Sequence, residues 1–149
     1  MLGIRKLSGV AAAGMAAVAL AATPAAAKAP YWQPVKTNSS WSCSDYTYHQ
    51  MSYNVNFKAC VVSNDPGYKQ GVLVVQNNAK VKIDIRGRVY TEGGLVDQSL
   101  ACMHSPLSAG ATTGCFLPST KASGVFRVKG ALWMNGDENE NLDIVSWHD

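Results

Sequence analysis

From Lys80 to Tyr90 the chain alternates between apolar and charged residues with a period of two. Val81, Ile83, Ile85 and Val89 fall on one face, and Lys80, Lys82, Asp84, Arg86 and Arg88 fall on the other. Successive side chains of an extended chain point to opposite sides, so this period predicts a β-strand with one wet face. Further strands are expected at Asp45 to Tyr53, Asn56 to Ser63, Gly71 to Gln76, Gly94 to Cys102, Thr112 to Leu117, Gly124 to Met134 and Asn141 to Trp147. Turn signals separate them at Asn64-Asp65-Pro66-Gly67, Gly93-Gly94, Ser105-Pro106, Pro118-Ser119 and Asn135-Gly136, where Gly and Asn tolerate positive φ and Pro fixes φ. Asn77-Asn78 reads as the tight connection of a hairpin between the Gly71 strand and the Lys80 strand.

No helical segment of ten or more residues is evident after residue 27. Seven or eight short strands, with turn signals about every ten residues, predict an all-β fold. The expected architecture is a single Ig-like antiparallel β-sandwich with Greek-key connections, and a small closed β-barrel is the alternative. Charged residues make up 15% of the 149, below the roughly 25% of an ordinary soluble domain, which excludes a coiled coil.

The first 27 residues have a different character. Arg5 and Lys6 precede an Ala-rich apolar run from Leu7 to Ala22, followed by Ala25-Ala26-Ala27, the three regions of a secretory signal peptide. Cleavage after Ala27 is expected, leaving no membrane span, since about 16 weakly apolar residues fall short of the ~20 that cross a bilayer. Residues 28–40, with Pro30 and Pro34 and no periodicity, are expected to form a flexible or edge-hugging arm, and residues 41–149 the domain.

Export bears directly on the four cysteines, Cys43, Cys60, Cys102 and Cys115, which all lie beyond residue 27. An even number in an oxidising compartment predicts disulfides, and three pairings are possible. The grouping favours Cys43–Cys60 and Cys102–Cys115, each closing a short loop at a gain of roughly 3 kcal/mol. No cysteine pair has the two-to-four-residue separation of a zinc knuckle, so no metal and no cofactor is expected.

Charge is unevenly spread. Residues 28–136 carry eleven Lys and Arg against five acids, while Asp137, Glu138, Glu140, Asp143 and Asp149 close the chain with no base among them. The acidic end is expected to fold back against the basic body. Lys80, Lys82, Arg86 and Arg88 could meet an anionic polymer, or form an ordinary solvated face. Without interleaved aromatics on that face, specific nucleic-acid binding is not expected.

The strand from Val72 ending in Asn77, the alternating strand after it, and Leu107-Ser108-Ala109-Gly110-Ala111-Thr112-Thr113 together resemble the small secreted Ig-like domains of Gram-positive soil bacteria, especially actinomycetes. The last segment is similar to their L-x-A-G-x-T turn before a closing strand, and Cys102 and Cys115 flank it. The resemblance covers residues 41 to 134 and implies a sandwich serving as an adhesion, carbohydrate-binding or inhibitory module. Fold likeness transfers no activity by itself.

Among the candidate chemistries, catalysis has the least support. His49, His104 and His148 lie in no nucleophile or metalloprotease motif, and the acids around Asn135-Gly136 look solvated, so no enzyme is expected. Aromatic residues are the stronger signal: Trp41, Tyr46, Tyr48, Trp133 and Trp147 are candidates to stack on sugar faces, making carbohydrate or an extracellular protein the expected partner. Tyr46 and Tyr48 share a face in an unbroken strand, and Tyr53 takes the other. The alternative is a secreted protease inhibitor acting through the segment after Cys102. Met103, His104, Ser105 and Pro106 are similar in texture to the reactive loop of the Streptomyces subtilisin inhibitor family, which implies Met103 or His104 as the residue entering the protease pocket.

Overall fold

The computed structural model describes residues 32–38, 40–139 and 145–147, with the backbone alone at 64, 65, 137–139 and 145–147. The signal-peptide reading of residues 1–27 lies outside them. Eleven strands follow in chain order: β1 (Trp32–Pro34), β2 (Trp41–Cys43), β3 (Thr47–His49), β4 (Ser52–Asp65), β5 (Tyr68–Asn77), β6 (Ile83–Gly94), β7 (Gln98–Leu107), β8 (Thr112–Phe116), β9 (Thr120–Met134), β10 (Asp137–Asn139) and β11 (Val145–Trp147). No helix of the described residues is long and apolar enough to cross a membrane.

The fold is the expected all-β antiparallel sandwich. In the first sheet β2 and β3 lie along β4, followed by β5, β8 and β1. In the second, β7 borders β6, β6 borders β9, and β10 and β11 line the far edge of β9. β9 is long enough to serve both: it meets β5 at Lys121 opposite Tyr68, then runs along β6 with Gly130 opposite Val89. The two sheets are therefore hydrogen-bonded to each other at one corner, so the sandwich is partly closed toward a barrel.

Alternation explains the core. Ile83, Ile85 and Val89 point inward from β6, and they meet Val55, Phe57, Leu73, Val75, Leu117, Phe126, Val128 and Leu132 between the sheets. Each such side chain contributes roughly 1.5–3 kcal/mol by leaving water. The apolar run of β5 does not alternate because both of its faces are covered. Leu73 and Val75 enter the main core, whereas Val72 and Val74 face outward under Val35, Trp41, Phe116 and the Cys43–Cys60 bridge.

Both expected disulfides are present, and they do different work. Cys43 and Cys60 are directly opposite across β2 and β4, with Cα atoms 4.0 Å apart. Cys102 and Cys115 join β7 of one sheet to β8 of the other. Beside that staple, the indole Nε1–H of Trp32 donates to the Met103 carbonyl at 2.6 Å. The 28–40 segment is therefore not free along its length: Trp32–Pro34 hugs the edge of β8.

Four sequence expectations give way to the fold. Asn77-Asn78 does not turn a hairpin, because β5 and β6 belong to different sheets and the chain crosses between them. Asn77 is fully buried there, its amide nitrogen 2.9, 3.1 and 3.2 Å from the carbonyls of Val81, Leu107 and Ser108. The crossover delays the start of β6 to Ile83 and leaves Val81 exposed. Asp45 to Tyr53 is not one strand but β3 and the start of β4, with a register shift after Tyr48. Ser105-Pro106 is not a turn but part of β7. The Asn135-Gly136 turn does form, both residues at positive φ (50° and 89°), as a two-residue hairpin between right-twisted strands requires.

Candidate functional site

Two aromatic surfaces lie on the outer faces of the two sheets. On the first sheet, register places Tyr48 of β3 beside Asn56 of β4, Asn56 beside Gln76 of β5, and Gln76 beside Thr112 of β8. Phe57, next along β4, points into the core, so this row faces out. The register shift after Tyr48 breaks the parity that would send Tyr53 to the other side. Tyr53, 86% exposed, instead meets Tyr48 edge-on, with ring centroids 5.9 Å apart and planes at 70°. The pair forms an angled notch, not a flat row.

Neighbouring polar groups surround that notch. The Lys58 ammonium sits 4.4 Å over the Tyr46 ring. Partial burial of this pair raises the Tyr46 phenol above its usual pKa and lowers the Lys58 ammonium below its own, because desolvation disfavours each charged form. Asn56 Oδ1 is shielded from solvent with no hydrogen-bond partner among the described residues. Gln76 offers its amide nearby, held by Asn78 Nδ2 at 3.2 Å.

The second surface lies on β6 and β9. Arg86 is opposite Trp133, and its guanidinium stacks over the indole at 4.9 Å. Both residues line two hollows. One, of about 280 Å³, also takes in Asp84, Ile85, His104 and Gly136. The other, of about 230 Å³, takes in Gly87, Arg88 and Ala101.

The structure thus divides the expected ligand residues. Tyr46 and Tyr48 share a face, Trp133 stands on the opposite sheet, and the Trp147 side chain lies outside the described residues. Trp41 is not a free platform: half-buried, it packs edge-on against Phe116 at 5.9 Å and roofs the outer apolar strip. Sequence reasoning placed Tyr53 on the face away from Tyr48 and passed over Asn56 and Lys58, since their convergence depends on a bulge that no alternation pattern reveals. Arg86 was legible as an outward residue of β6, but its pairing with Trp133 was not.

The segment proposed as a reactive loop is an edge strand. Ser105 and Pro106 pair with Ile85 and Asp84, and Met103 and His104 form an exposed bulge opposite Arg86, so the segment after Cys102 follows the sheet edge and is not a separate loop. Among the described residues no three His, Cys, Asp or Glu side chains gather as they would around a metal.

No family model matches the chain, and no curated protein matches it. Among solved structures, the chain is similar to the GAE domain of GGA2p from Saccharomyces cerevisiae, at 10% identity and a TM-score of 0.32, over 71% of this chain and 99% of that one.

Proposed function

We propose that this protein is a secreted, non-enzymatic binding module that recognises an extracellular polysaccharide through Tyr46, Tyr48 and Tyr53. The observation that carries this reading is the Tyr48–Tyr53 notch: two exposed rings at 70°. Rings give broad apolar contact at little entropic cost, and polar groups beside them fix orientation. The Cys43–Cys60 bridge and the β4–β5 ladder hold this face rigid, which lowers the ordering cost of binding. Secretion is supported by the signal-like leader and by the two disulfides, which persist in oxidising surroundings.

The angle between the rings specifies the form of the ligand. A flat crystalline surface needs coplanar rings, whereas an angled pair suits a single soluble chain entering the notch. Affinity electrophoresis in soluble glucan, xylan and chitin-derived oligosaccharides tests this. Tyr48→Ala and Tyr53→Ala each weaken retention, and Lys82→Ala leaves it unchanged. Absence of retention by every polymer, or retention indifferent to both tyrosines, overturns the reading. The inhibitor alternative has less support, because Ser105 and Pro106 pair with Ile85 and Asp84 and leave Met103 and His104 as a short bulge on an edge strand.

A further inference from the structure

The outer face of the second sheet carries charges that fall into two unlike halves. Toward one end, Glu92 accepts a 2.6 Å hydrogen bond from Lys129 and lies 4.0 Å from Arg127, so those charges satisfy one another. Toward the other end stand Arg86 and Arg88, two residues apart on β6 and both exposed. Among the described residues neither has a carboxylate within ion-pair distance. Lys82 precedes them, exposed, and Asp84 is the one acid among the described side chains lining the two hollows. The fold therefore leaves one guanidinium, Arg86, over a tryptophan and a second, Arg88, two residues along the same face, flanked by hollows large enough for a sugar unit's functional groups.

Each component suits an anionic carbohydrate. A guanidinium presents a planar fork of N–H donors that matches a carboxylate or phosphate in bidentate fashion. Stacking on Trp133 fixes the Arg86 fork before a ligand arrives, so less freedom is lost on binding. The partly exposed indole supplies an apolar edge beside the charge, and His104 adds ring nitrogens to the far wall. A nucleic-acid strand calls for a continuous basic track with successive aromatic platforms. Here Asp84 and Glu92 interrupt the track, and one aromatic ring lines both hollows.

We infer that the hollows walled by Arg86, Arg88 and Trp133 form a second binding site, which takes the acidic groups of an anionic polysaccharide. It is independent of the tyrosine notch and lies on the other sheet. The acidic group can be a uronic carboxylate or a backbone phosphodiester, since the fork accepts both.

Isothermal titration at low salt uses four probes: polygalacturonate, a glycerol-phosphate polymer, neutral dextran and single-stranded DNA of matched charge. The wild-type protein binds one or both acidic glycans, and whichever binds identifies the acidic group. Binding weakens as salt rises, because exposed charges are screened. Arg86→Gln and Arg88→Gln each lower affinity roughly tenfold through loss of charged hydrogen bonds. Arg86→Lys, which keeps the charge but not the fork, falls nearly as far. Asp84→Asn tightens binding. These opposite signs on one surface are what a merely structural role for the residues would not produce. Tyr48→Ala and Tyr53→Ala leave this binding intact, which separates it from the notch. The inference is overturned if neither acidic glycan binds, if dextran binds the Tyr48→Ala, Tyr53→Ala protein as well as the acidic glycans do, if DNA binds more tightly, or if Arg86→Gln and Asp84→Asn both leave affinity unchanged. Thermal unfolding of each variant, expected to match wild type, excludes misfolding as the cause.

Discussion

The buried side-chain amide of Asn77 donates to the backbone carbonyl of Leu107 at 3.1 Å, tying the end of β5 in one sheet to the end of β7 in the other. The same nitrogen reaches Val81 and Ser108, and Asn77 Oδ1 accepts from the Ala79 N–H at 3.0 Å. Three carbonyls and an amide at the crossover thus depend on one side chain. Asn77→Ala removes all four bonds and leaves the buried Leu107 carbonyl without this donor, and is expected to cost about 3 kcal/mol. Asn77→Asp keeps the shape but cannot donate when ionised, and is expected to lose nearly as much. The urea midpoint measures both.

The Cys102–Cys115 bridge spans the two sheets, whereas Cys43–Cys60 joins neighbours within one. Replacing Cys102 and Cys115 together by Ser is expected to destabilise the domain by about 2–5 kcal/mol. The Trp32–Met103 hydrogen bond beside it keeps the edges in place, so the variant still folds at low temperature. Chemical denaturation of oxidised protein checks the first point, and far-ultraviolet circular dichroism the second.

Thr91 lies inside the sandwich with its Oγ1 shielded and unpartnered among the described residues. Valine has nearly the same shape without the hydroxyl. Thr91→Val is therefore expected to stabilise the protein by about 1 kcal/mol, since it removes the desolvation cost of an unsatisfied group. A higher thermal midpoint with unchanged polymer binding is the expected result.

Glu92 titrates below its ordinary value of 4.5, first through its hydrogen bond to Lys129, then through the charges of Lys129 and Arg127. A depressed carboxylate contributes stability that is complete above the unfolded-state pKa and disappears as pH falls through the folded-state value. Part of the acid sensitivity therefore lies below pH 4.5. Glu92→Gln is expected to flatten the stability profile there, and added salt to shrink the difference, because both partners are partly exposed. Denaturation midpoints measured across that window decide it.

Much of this protein is written along the chain. The period of two from Lys80 onward selects strands, because backbone geometry alone decides that neighbours point opposite ways. Asn135-Gly136 specifies its own turn, since both residues tolerate positive φ, and the spacing of the cysteines favoured the observed pairing. These are local properties, settled within a few residues. Which sheet each strand joins is not local. Asn77-Asn78 has the chemistry of a hairpin turn, yet contacts with Leu107 and Ser108, thirty residues away, make it a crossover. The double burial of β5 depends on Val35 and Trp41 folding over it, and the meeting of Tyr48 with Tyr53 depends on a bulge. Alternation fixes the side of a strand on which a residue lies but carries no information about what covers that side. Only the packing of distant segments supplies the cover, and with it the choice of which aromatics become core and which are left for a ligand.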